Sequence, residues 1–147
     1  MAQKIKVTVR AGSSRVQSFV SGNTGPILRV AQMWREQGRS LVETILRQLV
    51  PVKTGVLQNS VTSVETPKGF SVYPTAPYAK YVDKGTNPHV IRARNASVLR
   101  WYSVLGDPIF AKWVMHPGSR GKFFMNDARD AARPLLRSLY VDLWMEQ

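Results

Sequence analysis

Apolar and polar residues alternate at the start of the chain. Ile5, Val7 and Val9 fall on one face, and Lys4, Lys6, Thr8 and Arg10 on the other. A period of two predicts a half-buried strand, and its lysines suit a sheet edge, where charge opposes pairing with other chains. Ala11 to Gly25 is rich in Ser, Gly and Asn and reads as a connector. Its one apolar patch, Val16 to Val20, reads as a short strand or turn. Strand and connector together form an N-terminal arm over residues 1–24.

The period then changes. From Thr24 to Leu49, Ile27, Leu28, Ala31, Trp34, Leu41, Val42, Ile45, Leu46 and Leu49 recur at steps of three and four, which predicts a long amphipathic helix. Thr24 is its expected N-cap and Pro26 suits its first turn. Glu43 precedes Arg47 by one helical repeat, an ion pair along the helix. Gly38 marks a place of close packing. Pro51 ends the helix, because the residue before a proline avoids helical dihedrals.

Beyond it the pattern shortens. Pro51 to Ser60 reads as a turn centred on Thr54-Gly55. Val61–Glu65 and Phe70–Tyr73 flank Thr66-Pro67-Lys68-Gly69 and predict a hairpin with a four-residue loop. Pro74 and Pro77 break the pattern. Tyr78–Val82 is short and apolar on one side, and Gly85-Thr86-Asn87-Pro88 is a strong turn signal. His89–Ala93, Val98–Tyr102 and Ile109–Met115 predict a three-stranded meander, turned at Asn95-Ala96 and at Gly106-Asp107-Pro108. His116 to Gly121 reads as a loop. A second helix is expected from Asn126 to Met145, capped by Asn126 or Asp127, with Ala128, Ala131, Leu135, Leu139 and Leu143 as its apolar stripe. Pro134 inside it predicts a kink or a split into two helices. The expected fold is a single α+β domain over residues 1–147: one long N-terminal helix, a small antiparallel sheet and a C-terminal helix.

Charge changes the picture more than composition does. Lys and Arg number 21 against 9 Asp and Glu, a net charge of +12. Such a surface attracts polyanions, so nucleic acid and acidic protein neighbours are the expected partners, ahead of a membrane. No apolar run approaches the roughly 20 residues that span a bilayer, and the first residues lack the apolar core of a signal peptide. Cysteine is absent, which removes disulfides and thiolate metal sites.

Candidate chemistry is sparse. His89 and His116 are the only histidines, and the nearby acids Asp83, Asp107, Asp127 and Asp130 are scattered, whereas a metal nuclease needs several converging ligands. Gly118-Ser119-Arg120-Gly121-Lys122 is glycine-rich and basic but lacks the phosphate-loop spacing. No Gly-x-Ser-x-Gly elbow is present. No cofactor or metal is expected. Arg129, Arg133 and Arg137 sit four apart and would line one helical face, turned to DNA, to an acidic partner or to solvent, with Asp130 placed to pair with Arg133 or Arg137. Tyr78, Tyr81, Trp101, Tyr102, Phe110 and Trp113 interleave with Lys80, Lys84, Arg100 and Lys112. Aromatics among bases can stack nucleic-acid bases, but at strand spacing they are expected to build a core.

Three stretches together resemble one family. Pro51-Val52-Lys53-Thr54-Gly55-Val56-Leu57-Gln58-Asn59-Ser60-Val61 is similar to the proline, Thr-Gly, leucine, serine motif that follows the first long helix of the HK-ninety-seven gene-product-ten-like phage proteins. Tyr78-Ala79-Lys80-Tyr81-Val82-Asp83-Lys84-Gly85-Thr86 resembles that family's Tyr-Ala-x-Tyr-Val-acidic-x-Gly-Thr signature, with Asp83 where glutamate is usual. His116-Pro117-Gly118, then Phe123-Phe124 and Ala128, looks like its closing pattern, with Lys122 where a proline commonly precedes the aromatic. The order and spacing hold from Pro51 to Ala128, and the N-terminal part matches only in having a long helix. The resemblance implies a virion protein of a tailed phage, made in the host cytoplasm and placed in the neck or at the head-proximal end of the tail. It implies a homo-oligomeric ring, sixfold or twelvefold, around the DNA channel, with neighbouring neck, portal-side or tail-terminator proteins as further partners. No catalytic residues come with it. The implied assembly residues are Thr54, Gly55, Tyr78, Tyr81, Gly85, Thr86, His116, Pro117, Gly118, Phe123 and Phe124. Arg120, Lys122, Arg129, Arg133 and Arg137 are the candidates for facing DNA or an acidic partner. The alternatives are a non-specific DNA-binding protein and a metal-dependent nuclease using His89 or His116. The free subunit is expected to be monomeric or weakly associated, with Gly12–Asn23 and Asn87–Asn95 ordering on assembly.

Overall fold

The computed structural model describes residues 4–8, 25–66 and 69–146. Val9, Arg10, the connector, its Val16–Val20 patch, the Gly12–Asn23 loop and the Thr24 cap lie outside them. The chain runs β1 (Ile5–Thr8), α1 (Gly25–Leu49), α2 (Val56–Asn59), β2 (Val61–Thr66), β3 (Gly69–Pro74), α3 (Ala79–Lys84), β4 (Gly85–Thr86), β5 (His89–Arg92), β6 (Leu99–Tyr102), β7 (Pro108–Ala111), β8 (Trp113–His116), β9 (Ser119–Arg120) and α4 (Phe124–Met145). The α+β class expected from the pattern is the one observed.

Helix α1 packs on α4 along one flank and on a three-stranded antiparallel sheet ordered β1-β3-β2 along another. Helix α1 buries Val30, Trp34, Val42 and Leu46, and Val50 just past its end continues the line. This stripe advances almost every fourth residue, so it follows one side of the helix. Leu28 and Leu49, read as part of it, lie at the flanks and are exposed. Gly38 falls in the gap of the stripe. A β-carbon there would come within 2.9 Å of Leu136 Cδ2 and 3.4 Å of the Phe70 ring, so the expected close packing is the contact of α1 with both α4 and β3. Nearby, buried Trp34 donates from Nε1 to the Leu136 carbonyl at 3.0 Å, joining α1 to α4.

Central strand β3 supplies Phe70 and Val72, both fully buried. The edge strand β2 turns Val61 inward and then meets the polar flank of α1. There Ser63 donates to Glu43 at 3.0 Å and Glu65 pairs with Arg39 at 2.8 Å. This polar seam is why β2 alternates only weakly in the sequence. Thr66 pairs with Gly69, so the strands extend from both sides into the expected four-residue loop.

Helix α4 begins at Phe124, two residues before the expected Asn126, and runs through Pro134 as one element of 22 residues. The expected split does not occur. Pro134 is on the exposed side, where water can satisfy the carbonyl freed by its missing N–H, while the opposite face is held by packing. That face is Met125, Ala128, Ala132, Leu136, Leu139 and Leu143. Ala131 and Leu135, assigned to it from the sequence, are exposed. Steps of three and four starting from Ala128 fit both stripes, and only the contact with α1 selects one.

The predicted meander is replaced by a different object. Strand β5 pairs with β8 and β6 with β7, each antiparallel, and β4 pairs with β9 below them. The result is one interrupted two-stranded ribbon, reversed at Ser103–Asp107. There the Asp107 carbonyl accepts from the Ser103 N–H at 2.8 Å, and Gly106 adopts φ 90°. Asn95-Ala96 does not reverse the chain. Residues 93–98 bend outward opposite the single residue Lys112, which divides the expected Ile109–Met115 strand into β7 and β8. The expected strand at His89–Ala93 is β5, within the Asn87–Asn95 segment expected to order on assembly.

Candidate assembly surface

The motif segments meet at one junction, where the ribbon leaves the body. Pro51–Ser60 is not merely a turn. Gly55, in the left-handed region at φ 77°, starts the short helix α2, and Leu57 inserts into the core. The Gln58 amide donates to the Arg47 carbonyl at 2.9 Å, and Arg47 donates to the Val61 carbonyl at 2.8 Å. Thr54 is left exposed at the rim.

Tyr78–Val82, read only as short and apolar on one side, is the N-cap and first turn of helix α3. Ala79 and Asp83 are its buried side, while Tyr78, Lys80 and Tyr81 face out. Asp83, 2% exposed, has a defined task. Its Oδ1 accepts from the Met125 N–H at 3.0 Å, so it caps α4 across 42 residues of sequence. Its own carbonyl accepts from the Phe123 N–H at 2.8 Å, and the Val82 carbonyl accepts from the Lys122 N–H at 3.0 Å. The expected caps Asn126 and Asp127 lie inside the helix. The N-cap position is Phe123, whose side chain cannot serve, so an acid elsewhere in the chain does.

The glycines of the two later motifs form a backbone crossing. A β-carbon on Gly85 would collide with the Ser119 carbonyl oxygen, and one on Gly118 with the Thr86 carbonyl oxygen. Both glycines have positive φ, 77° and 88°. Side-chain-bearing residues at either place would force the strands of the ribbon apart. Thr86 and Ser119 exchange a hydroxyl contact at 3.1 Å beside the crossing.

One step further out, His89 and His116 are cross-strand partners, with ring centroids 5.0 Å apart. The His116 Nδ1 accepts from the Gly118 N–H at 3.0 Å, while the His89 Nδ1 faces the Asn87 carbonyl at 2.9 Å. Each ring is thus fixed by backbone from its own strand. Among the described residues no group of three or more metal-ligating side chains converges.

Two open hollows flank the junction. One, of about 420 Å³, lies between Thr54-Gly55, Tyr78 and Lys122, with Lys53 at its edge. The other, of about 600 Å³, lies between Lys80, Tyr81, Lys84, Gly85-Thr86 and His89. Both contain lysines and neither is lined by an acid.

Of the implied assembly residues, the structure brings Thr54, Gly55 and Tyr78 to the first hollow. Tyr81, Gly85 and Thr86 line the second, and His116, Pro117 and Gly118 lie on the return strand beside it. Phe123 is half-exposed with φ 53°, whereas Phe124 is core. Arg120 is in β9 and exposed, as is Lys122. Arg129, Arg133 and Arg137 are exposed along α4. Asp130 pairs with neighbouring Arg129 at 3.2 Å rather than with Arg133 or Arg137.

The largest correction concerns the aromatics. Tyr78, Tyr81, Trp101, Tyr102, Phe110 and Trp113 were expected in the core, and all are exposed. Val104 and Leu105 at the ribbon tip are almost wholly in solvent. Among the described residues the ribbon has no third strand and no helix over it. The sequence signal was available: apolar residues occupy consecutive positions at Val104-Leu105 and Ile109-Phe110, which a one-sided strand would not show. Arg100 lies 5.2 Å from the Tyr102 ring centroid and 5.8 Å from that of Phe110, and donates to the Tyr102 hydroxyl at 2.7 Å.

No described helix is long and apolar enough to cross a membrane. The chain matches no protein-family model, no curated protein and no solved structure.

Proposed function

We propose that this protein is a structural virion subunit of a tailed bacteriophage, a neck or tail-completion protein that joins head to tail as one member of a ring around the DNA channel, and that it is not an enzyme. The observation that carries the reading is the ribbon β5–β8. A small domain that places Trp101, Phe110 and Trp113 in solvent on a projecting two-stranded arm has a surface suited to burial in an assembly. The motif stretches resembling the phage family gather at the base of that arm, where they set its direction. A net charge of +12 suits a wall beside passing DNA. Cryo-microscopy of the intact particle tests the proposal: density for this chain is expected between the capsid vertex and the tail tube. Its absence there, or turnover of a substrate by the pure protein, overturns the reading.

The exposed stripe Arg129, Arg133 and Arg137 favours a second reading, a non-specific DNA-binding protein. Under that reading duplex affinity falls steeply with salt, and removing the three charges lowers the salt slope by about 3. A chain that only lines a channel binds free duplex weakly, and the triple variant barely changes it.

A further inference from the structure

Two surfaces of this chain are unfinished, and they complement each other. The first is the ribbon. Its eight strand residues on the outgoing side, at about 3.3 Å each, reach roughly 26 Å, more than twice the width of a helix. It carries Trp101, Leu105, Phe110 and Trp113 in solvent, together with Arg92, Arg94, Arg100 and Lys112. Its only acid is Asp107 in the turn.

The second is the outer side of the last two turns of α4. Tyr140, Val141, Trp144 and Met145 are exposed there, with Tyr140 and Trp144 edge-to-face at 6.3 Å. The same turns hold Asp142 and Glu146 and no base in the last turn. Acids at a helix C-terminus stand against the negative end of the macrodipole and destabilise the free helix. Among the described residues neither acid has a cationic partner. An apolar patch with concentrated negative charge fits an apolar patch that is basic.

We propose that the ribbon of one subunit docks on the end of α4 of the next copy of this chain. Apolar side chains from both are buried, and ribbon cations neutralise Asp142, Glu146 and the helix end. The two surfaces differ, so the contact is head-to-tail, and repetition generates a closed ring or an open filament rather than a two-fold dimer. This specifies the lateral contact of the ring proposed above and rests on that reading only for the ring's place in the particle.

The chain has no cysteine, which makes a directed test simple. The test combines Leu105→Cys and Val141→Cys, both exposed, in one chain and treats concentrated protein and intact particles with a bifunctional maleimide. A ladder of dimer, trimer and larger species is expected. Mixing the two single variants should give one heterodimer band and nothing larger. Asp142→Lys with Glu146→Lys should lower the yield about threefold per charge. In the double-cysteine chain, Phe110→Ser with Trp113→Ser, at solvent-exposed sites, should abolish the ladder while the far-ultraviolet circular dichroism is unchanged. Absence of the ladder from both pure protein and particles that contain the chain overturns the contact and leaves the neck reading standing. Dimers from Leu105→Cys alone, as abundant as the mixed product, overturn it in favour of ribbon-to-ribbon pairing. A ladder from pure protein with the chain missing from particles supports the contact and defeats the neck reading.

Discussion

Asp83 and Glu43 are two acids whose roles follow from their neighbours. Asp83 is buried where α3 meets the first turn of α4, and its hydrogen bond to the Met125 N–H supplies the cap that Phe123 cannot. Asp83→Ala leaves a buried N–H unpaired and should cost about 2 kcal/mol. Asp83→Asn keeps an acceptor and should restore most of that, as urea unfolding of the two variants will show. Equal loss in both would assign the role to charge rather than to the hydrogen bond. Glu43 is held below its ordinary value, chiefly because Arg47 donates to it, with Ser63 adding a further bond against the opposing effect of burial. The folded chain therefore binds that proton more weakly than the unfolded one, so the stabilisation is complete above the ordinary glutamate range and disappears as pH falls through the lowered value. With Arg47 half-open to solvent, Glu43→Gln should cost about 1 kcal/mol at neutral pH. The gap between variant and parent should narrow as pH falls below the ordinary glutamate range and close beneath the lowered value, read from denaturant midpoints across pH.

Among the elements, the two long helices and the sheet were the most legible in sequence, and their contacts explain where legibility stopped. Helix α1 was readable because apolar steps from Ile27 to Leu49 mark a helix without any partner, yet buried Val30 and Val50 were not in that stripe and exposed Leu28 and Leu49 were. The stripe of α4 was misassigned because Ala131 and Leu135 have the same spacing as the true contacts Ala132 and Leu136, and only the position of α1 distinguishes them. The meander failed for a related reason. Strand residues were identified, but pairing depends on which turn reverses the chain, and residues 93–98 carry turn chemistry without reversing it. The candidate site was legible as motifs and illegible as geometry, since the cap by Asp83 and the glycine crossing join segments far apart in sequence. Gly38 provides a test at this scale. Alanine gains about 1 kcal/mol of helix propensity, but overpacking against Leu136 and Phe70 costs about 1–3 kcal/mol. Gly38→Ala should therefore be destabilised slightly and Gly38→Val severely, measured as Tm.

For the whole molecule, the body and the ribbon divide the work of folding and association. Among the described residues the buried set belongs to α1, α2, the sheet, α3, α4 and the connections at Val50 and Ala76, and no residue of β5 to β8 is part of it. Replacing residues 89–116 by a short turn, with Gly85, Thr86, Gly118 and Ser119 retained, should leave the body folded, with a change in stability of about 1 kcal/mol or less. The same deletion should remove all association between copies. Circular dichroism melting and sedimentation velocity separate the two outcomes. A body that fails to fold would show that the ribbon contributes to the core after all.

An arm that no core packs against faces a hazard that buried sheets escape: its strands can slide past each other, and every side chain then changes sides. The crossing of Gly85 and Gly118 supplies the missing constraint. Sliding either strand by one position would bring Thr86 or Lys84 to the place of Gly85, or Ser119 or Pro117 to that of Gly118, and no such residue fits against the facing carbonyls. The alignment of the tip is therefore decided at the root, with no covering layer among the described residues needed to hold it.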